Sequence, residues 1–197
     1  MTDLYLMPAL TEPTSAAATD DFVATLAGLA PNGPVAALRA FRADATRYTQ
    51  GSHDALFSHE VADLTLRERL YAAWYAALLS RSERTAQAYR ERLLALDAQA
   101  GNEADATGLL LDSIAQHRTA PGGTVGTLIN ADPRLAAILV HTEALALHPA
   151  DTGKSALAQL QAAGLTTGAI VALAQLVAFV TYQVRVVAAL RALEAQA

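Results

Sequence analysis

The sequence predicts an all-α protein of about eight helices, and three observations carry that reading. Apolar residues make up 53% of the 197-residue chain, and alanine and leucine supply most of them. Those two residues are among the least costly in a helix. Helix-start and helix-stop chemistry recurs throughout, as at Thr65 with Glu68, Asp132 with Pro133, and Gly164. No stretch alternates apolar and polar residues as a half-buried strand would.

Taken in order, residues 1 to 19 read as an irregular arm, with two prolines and a TSAAAT run. A first helix is expected from about Asp20 to Leu26, with Gly28 near its end. LAPNGP makes a turn, and Pro34 suits the first position of the next helix, VAALRAFRADATRY. Gln50-Gly51-Ser52 is expected to end that helix. Thr65-x-x-Glu68 is a capping-box pattern, followed by Leu70, Trp74, Ala77 and Leu78 on one apolar face. Ser82 opens a helix to about Ala100, and Gly101-Asn102 breaks it. Another helix covers roughly 103 to 117, and APGGTVG, 120 to 126, reads as the clearest loop.

Beyond that loop, Asp132 and Pro133 open a helix to about His148, which Pro149 stops. A short helix follows over about 154 to 163, and Thr166 or Thr167 caps the last, from 168 to about 194. Residues 20 to 197 thus read as one helical domain, with two lobes near 20–118 and 127–197. An internal echo supports the lobes. Leu64-Thr65 and Leu165-Thr166 each open an Ala-rich helix, reach Ser82 and Gln183 at the same offset, and then Arg90 and Arg191.

Composition excludes several functions. The net charge is −5 and no basic run occurs, so nucleic acid is not an expected partner. There are no cysteines, which removes disulfides, thiolate nucleophiles and iron–sulfur ligation, and fits a cytoplasmic protein. MTDLYLMPALTEP lacks the positive start and apolar core of a signal peptide. The stretch 169 to 190 is long enough to span a membrane, but Gln175, Gln183 and Arg185 interrupt it. It is expected to be buried in protein, partly at a subunit contact.

The candidate chemistry is sparse. GxSxG is absent, and APGGTVGTL lacks a Walker lysine and follows no strand. The histidines at 53, 59, 117, 141 and 148 form no HExxH, and no metal or cofactor is expected. His53, His59 and Glu60 read as loop residues, His141 as a hydrogen-bonded and partly buried side chain, and His148 as a cation near a helix C-terminus. Arg185, between two valines in the most apolar helix, is expected to be buried and therefore paired. One reading pairs it with a structural or interface carboxylate, for which Glu143 and Glu68 are candidates; the other sets it against an anion or carboxylate ligand in a pocket, with Gln183 or Tyr182 beside it.

Three segments together resemble a known superfamily. LTLRERLYAAWYAALL, 64 to 79, is similar to the helix before the redox motif of carboxymuconolactone decarboxylase-like and alkylhydroperoxidase D-like proteins. QAAGLTTGAIVALAQLVAFVTYQVRVVAALRAL, 161 to 193, looks like the C-terminal signature of their peroxidase-related branch, whose arginine falls here on Arg185. ALRAFRADATRYTQGSHDALF, 37 to 57, is similar to part of a two-lobed branch. The resemblance implies a helical bundle that assembles as a dimer, trimer or hexamer.

The superfamily's motif is Glu-x-x-Cys-x-x-Cys-x-x-x-His, and all four positions differ here: Leu79, Ser82, Thr85 and Tyr89. Hydroxyls neither ionise near neutral pH nor form the disulfide that stores two electrons, so this chain has no thiol peroxidase chemistry. Ser82, or Ser80, is expected to cap the helix, and Tyr89 to pack at the end of the same face. The functional expectation is a redox-inactive homologue that binds a small molecule or a partner. The alternatives are a non-thiol enzyme of the lactone decarboxylase type, which would need His and Glu in one pocket, for example His53 or His141 with Glu68; the alkylhydroperoxidase or peroxiredoxin-type activity that the family label implies; and a purely structural or interaction protein.

Overall fold

A computed structural model of the chain describes residues 21–58, 61–101, 104–117, 125, 129 and 132–197. Among these the regular structure is entirely helical. The N-terminal arm, His59, Glu60 and all of APGGTVG except Val125 lie outside the described residues.

The first helix, α1 (Phe22–Ala27), starts where the Asp21 carboxylate accepts the Ala24 N–H. It ends where Gly28 takes a left-handed φ of 69° and closes a Schellman pair of bonds, Gly28 N–H to Thr25 O and Leu29 N–H to Ala24 O. Pro34 opens α2 (Pro34–Phe41), which Arg39 ties back to Asp21.

Sequence expectation fails at the next two points. The helix expected to run on from Pro34 breaks at Arg42 (φ −106°, ψ 50°), and α3 (Ala43–Phe57) continues straight through Gln50-Gly51-Ser52. A mid-helix glycine costs only about 1 kcal/mol. Burial of His53 and Phe57, one turn apart on the inner face of α3, outweighs that cost. His53 is therefore helical, not in a loop.

The centre of the molecule is α4 (Leu66–Leu79). Thr65 and Glu68 form the expected capping box, with Glu68 N–H to Thr65 Oγ1 at 3.2 Å and Thr65 N–H to Glu68 Oε2 at 2.8 Å. The expected single apolar face is too narrow a description. Arg69 to Ala77 are all buried, as is Leu79, so α4 is covered on every side. It packs against α5 (Glu83–Gln99), α7 (Pro133–Leu147) and α9 (Thr167–Glu194). Its run of alanines lets those neighbours approach closely.

The helix α6 (Ala104–His117) is fastened to α4 and α5 through Asp97, which is fully buried. Thr107 Oγ1 donates to Asp97 Oδ2 at 2.6 Å, and Arg67 Nε donates to Oδ1 at 2.9 Å. Asp132 and Pro133 open α7 as expected, and His148 lies at its C-cap. A 3-10 turn (Pro149–Asp151) and α8 (Lys154–Ala162) lead to Gly164, φ 84°, and then to α9. Thr166 caps α9 by accepting the Ala169 N–H, as Thr65 does at α4. The echo therefore holds at the helix starts and fails further on, because α4 stops at Ser80 whereas α9 runs through the matching position.

Along α9 the buried residues are Ala169, Ile170, Leu173, Leu176, Val177, Val180, Gln183, Val184 and Val187, a single stripe at helical spacing. Val171, Tyr182 and Arg185 lie on the outer side. Arg185 is exposed, contrary to expectation, because one residue past Val184 turns about 100° out of the stripe. The helix is long and apolar enough to cross a membrane, with an 18-residue stretch of mean hydropathy 1.8, of which 44% is buried in the protein.

One buried cation fixes the approach to α4. Arg69, 1% exposed, donates to three carbonyls of two segments: Leu56 O at 2.5 Å and Ser58 O at 2.6 Å at the end of α3, and Leu64 O at 3.1 Å before α4. Arg69→Met keeps the volume and orphans those acceptors. We expect it to lower unfolding free energy by about 3 kcal/mol, measured by urea denaturation.

Candidate functional site

Four motif positions identified in the sequence lie around the α4–α5 junction. Leu79 ends α4, and Ser80, Arg81 and Ser82 make the turn. A second Schellman motif closes α4, with Arg81 N–H to Leu78 O and Ser82 N–H to Ala77 O, both at 3.0 Å. Arg81 holds the position usually given to glycine, at φ 56°. A side chain there costs about 1 kcal/mol or more.

Ser82 occupies the N-cap position of α5, but its side chain caps nothing. Its hydroxyl turns instead to the buried Thr85 and donates to Oγ1 at 2.9 Å. Ser80 is no substitute cap, since its Oγ donates back to Ala76 O. The first turn of α5 thus keeps backbone N–H groups that no side chain from Ser82 covers.

One helical turn further on, Tyr89 is fully buried. Its hydroxyl donates to Gln183 Oε1 at 2.7 Å, and its ring stacks on Phe57 with centroids 5.2 Å apart. Burial pushes the phenol far above its ordinary value, so Tyr89 is neutral and serves no acid–base role near pH 7. Gln183 Nε2 is buried without a hydrogen-bond partner. The sequence echo matched Gln183 with Ser82, whereas in space Gln183 meets Tyr89.

His53 belongs to the same aromatic cluster, with Phe22 at 4.4 Å and Phe57 at 4.9 Å between centroids. Its Nε2 lies 3.0 Å from Arg92 Nη1, and its Nδ1 3.0 Å from Asp54 Oδ1. A guanidinium only donates, so Nε2 accepts and the ring is neutral, with Nδ1–H donating to Asp54. Burial pushes His53 below its ordinary value; the Asp54 hydrogen bond opposes that, and the Arg92 charge adds to it.

The pairings needed for the decarboxylase-type alternative do not form among the described residues. Glu68 is committed to the capping box and to Arg134, whose Nε donates at 2.5 Å. Glu143 accepts from the Tyr75 hydroxyl at 2.6 Å, so neither carboxylate pairs with Arg185. His141 is buried on α7 with Nδ1 unpartnered, and burial lowers its pKa. Tyr182 lies on the outer side of α9, with its hydroxyl 3.4 Å from Thr49 Oγ1. No group of three metal-ligating side chains converges among the described residues.

What the junction does contain is a cavity of about 670 Å³ between the α4–α5 turn, the C-terminal end of α7 and the outer half of α9. Arg81, Arg84, Arg185 and Arg191 line it, and Glu83 is the one carboxylate among the described lining residues. None of the four guanidiniums forms an ion pair among the described residues. Arg84 is set by α1: its Nη1 would lie 2.5 Å from a Cβ at Gly28, so the glycine both turns the chain and leaves room for the guanidinium. Leu79, Leu147, Val184 and Val187 give the cavity an apolar side. Of these arginines the sequence reading singled out Arg185 alone. Two arginines within RSER, at a turn between helices, were the signal it passed over.

Three measurements follow from this geometry. Tyr89→Phe leaves both polar ends of the Gln183 amide unpaired and is expected to cost about 1–2 kcal/mol in chemical denaturation. Arg81→Gly relieves the left-handed turn and is expected to raise stability by up to about 1 kcal/mol. His53 and His141 are held neutral in the fold, while in the unfolded chain they protonate near pH ~6.5. Their contribution is complete above that pH and is lost as pH falls through it toward the lower folded-state values. Urea midpoints should therefore drop below pH ~6.5, less steeply in His53→Gln and His141→Gln.

In comparison with known proteins, no family model, no curated protein and no solved structure matches the chain.

Proposed function

We propose that this protein binds a small molecule in the α4–α5 cavity, as a cysteine-free and redox-inactive relative of the alkylhydroperoxidase D-like proteins. The observation that carries the binding reading is the cavity itself. Its volume of about 670 Å³ falls within the range typical of ligand sites, and both polar and apolar side chains line it. Support for the kinship comes from the placement of Ser82 and Thr85 at the start of a helix that follows a largely buried one. In that family reading the motif's geometry persists after its chemistry has gone.

Binding is favoured over catalysis because the described lining has no histidine, and its one carboxylate, Glu83, is exposed. The neutral, buried Tyr89 and the Arg92-bound His53 are parts of the core. Self-association belongs to the same proposal. Phe41 is 87% exposed and Leu38 64% on α2, and Val171 and Tyr182 present further apolar area on α9, which suits a second copy of the chain.

Native mass spectrometry of freshly purified protein tests both parts. The expected result is a discrete oligomer carrying a small-molecule mass, with that mass lost in Ala188→Trp, where a lining residue becomes large enough to obstruct the cavity. A bare monomer, with Ala188→Trp indistinguishable from it, would count against the proposal.

A further inference from the structure

We infer that the α4–α5 cavity selects an organic oxyanion: a carboxylate or phosphate head group on the arginines, carried by a short apolar body. This deepens the binding reading above and rests on it. Four arginines and one glutamate line the cavity of a chain whose net charge is −5. A cationic recess on an acidic protein is the reverse of what composition alone would place there. Guanidinium groups present paired N–H donors that match the oxygens of carboxylate and phosphate. Among the described residues they gather without an ion-pair partner, and a bound anion offsets the mutual repulsion this leaves.

One of the four arginines is held at a backbone cost, and another is packed against α1. Arg81 occupies a left-handed C-terminal position where glycine would fit without strain. Its side chain is kept at a site where stability favours its removal, as residues under functional constraint are. Arg84 is seated over Gly28, which ties the cavity wall to α1. Arg185 and Arg191 come from α9, over a hundred positions away in the chain, and reach the same recess. The uncapped first turn of α5 adds N–H dipoles of the same sign on the Ser82 side. Leu79, Val184 and Val187, also in the lining, supply apolar surface for a hydrocarbon segment.

Isothermal titration calorimetry on the full chain with hexyl phosphate, hexanoate and 1-hexanol tests the inference. Hexyl phosphate or hexanoate should bind one-to-one, and the stronger of the two identifies the head group. Arg81→Gly and Arg185→Gln should each weaken that anion by about tenfold while the melting temperature holds or rises, and added salt should weaken it further. Equal affinity for 1-hexanol, unchanged in both variants, would overturn the oxyanion inference and leave the cavity as a site for neutral ligands. Absence of binding by any of the three probes to folded protein would overturn the inference and the binding reading together. Cosedimentation with phosphatidylserine vesicles, lost in the same variants while hexyl phosphate gives no heat, would overturn it in favour of a membrane surface.

Discussion

Arg69 sets the frame on which the rest of the structure is hung. A guanidinium that is 1% exposed must have its N–H groups satisfied, and backbone carbonyls from the end of α3 and the turn before α4 do this. The last carbonyls of α3 are acceptors that no intrahelical donor reaches. One side chain therefore meets two needs, its own and that of the helix end. With α3 and the 61–65 turn fixed to its first turn, α4 enters the core at a defined angle and height. Arg134 holds the same corner from outside, donating to Glu68, to Asp63 O and to Gly164 O.

Fixing the start of α4 also fixes its end. Because α4 is buried on every side, the chain can leave it only at the surface, and the Arg81 turn is that exit. The turn delivers α5 with its first turn facing the outer half of α9. Tyr89 then locks α5 to α9 through Gln183, and the stack with Phe57 locks it to α3. The cavity lies where these constraints leave a gap, between the Arg81 turn and the edge of the α9 buried stripe, where Val184 and Val187 adjoin Arg185 and Arg191. Its arginines lie on the solvent side of that gap, where no core contact demands them.

Features legible in the sequence were those decided within four residues. Thr65 with Glu68, Asp132 with Pro133, Thr166, Gly28 and Gly164 all act by local side-chain or backbone bonds, and each marks the helix end it was expected to mark. Gly51 misled because a tertiary effect, the burial of His53 and Phe57, overrode a local propensity. Arg185 misled because average apolarity says nothing about helix phase, and phase decides which side faces water. Ser82 lies at the right place with its hydroxyl turned to Thr85, a choice made by the pocket that buries Thr85. The arginine cavity was invisible for a plainer reason: its members come from segments far apart in the chain and meet only in the fold.

The central claim is that these arginines act together on one ligand, and side-chain Nε–Hε NMR of the folded protein titrated with hexyl phosphate tests it most directly. The account predicts that resonances of Arg81, Arg84, Arg185 and Arg191 shift with one common saturation curve, while those of Arg69 and Arg47, distant in role and environment, stay in place. Weak shifts spread over every exposed arginine, without saturation, would contradict it.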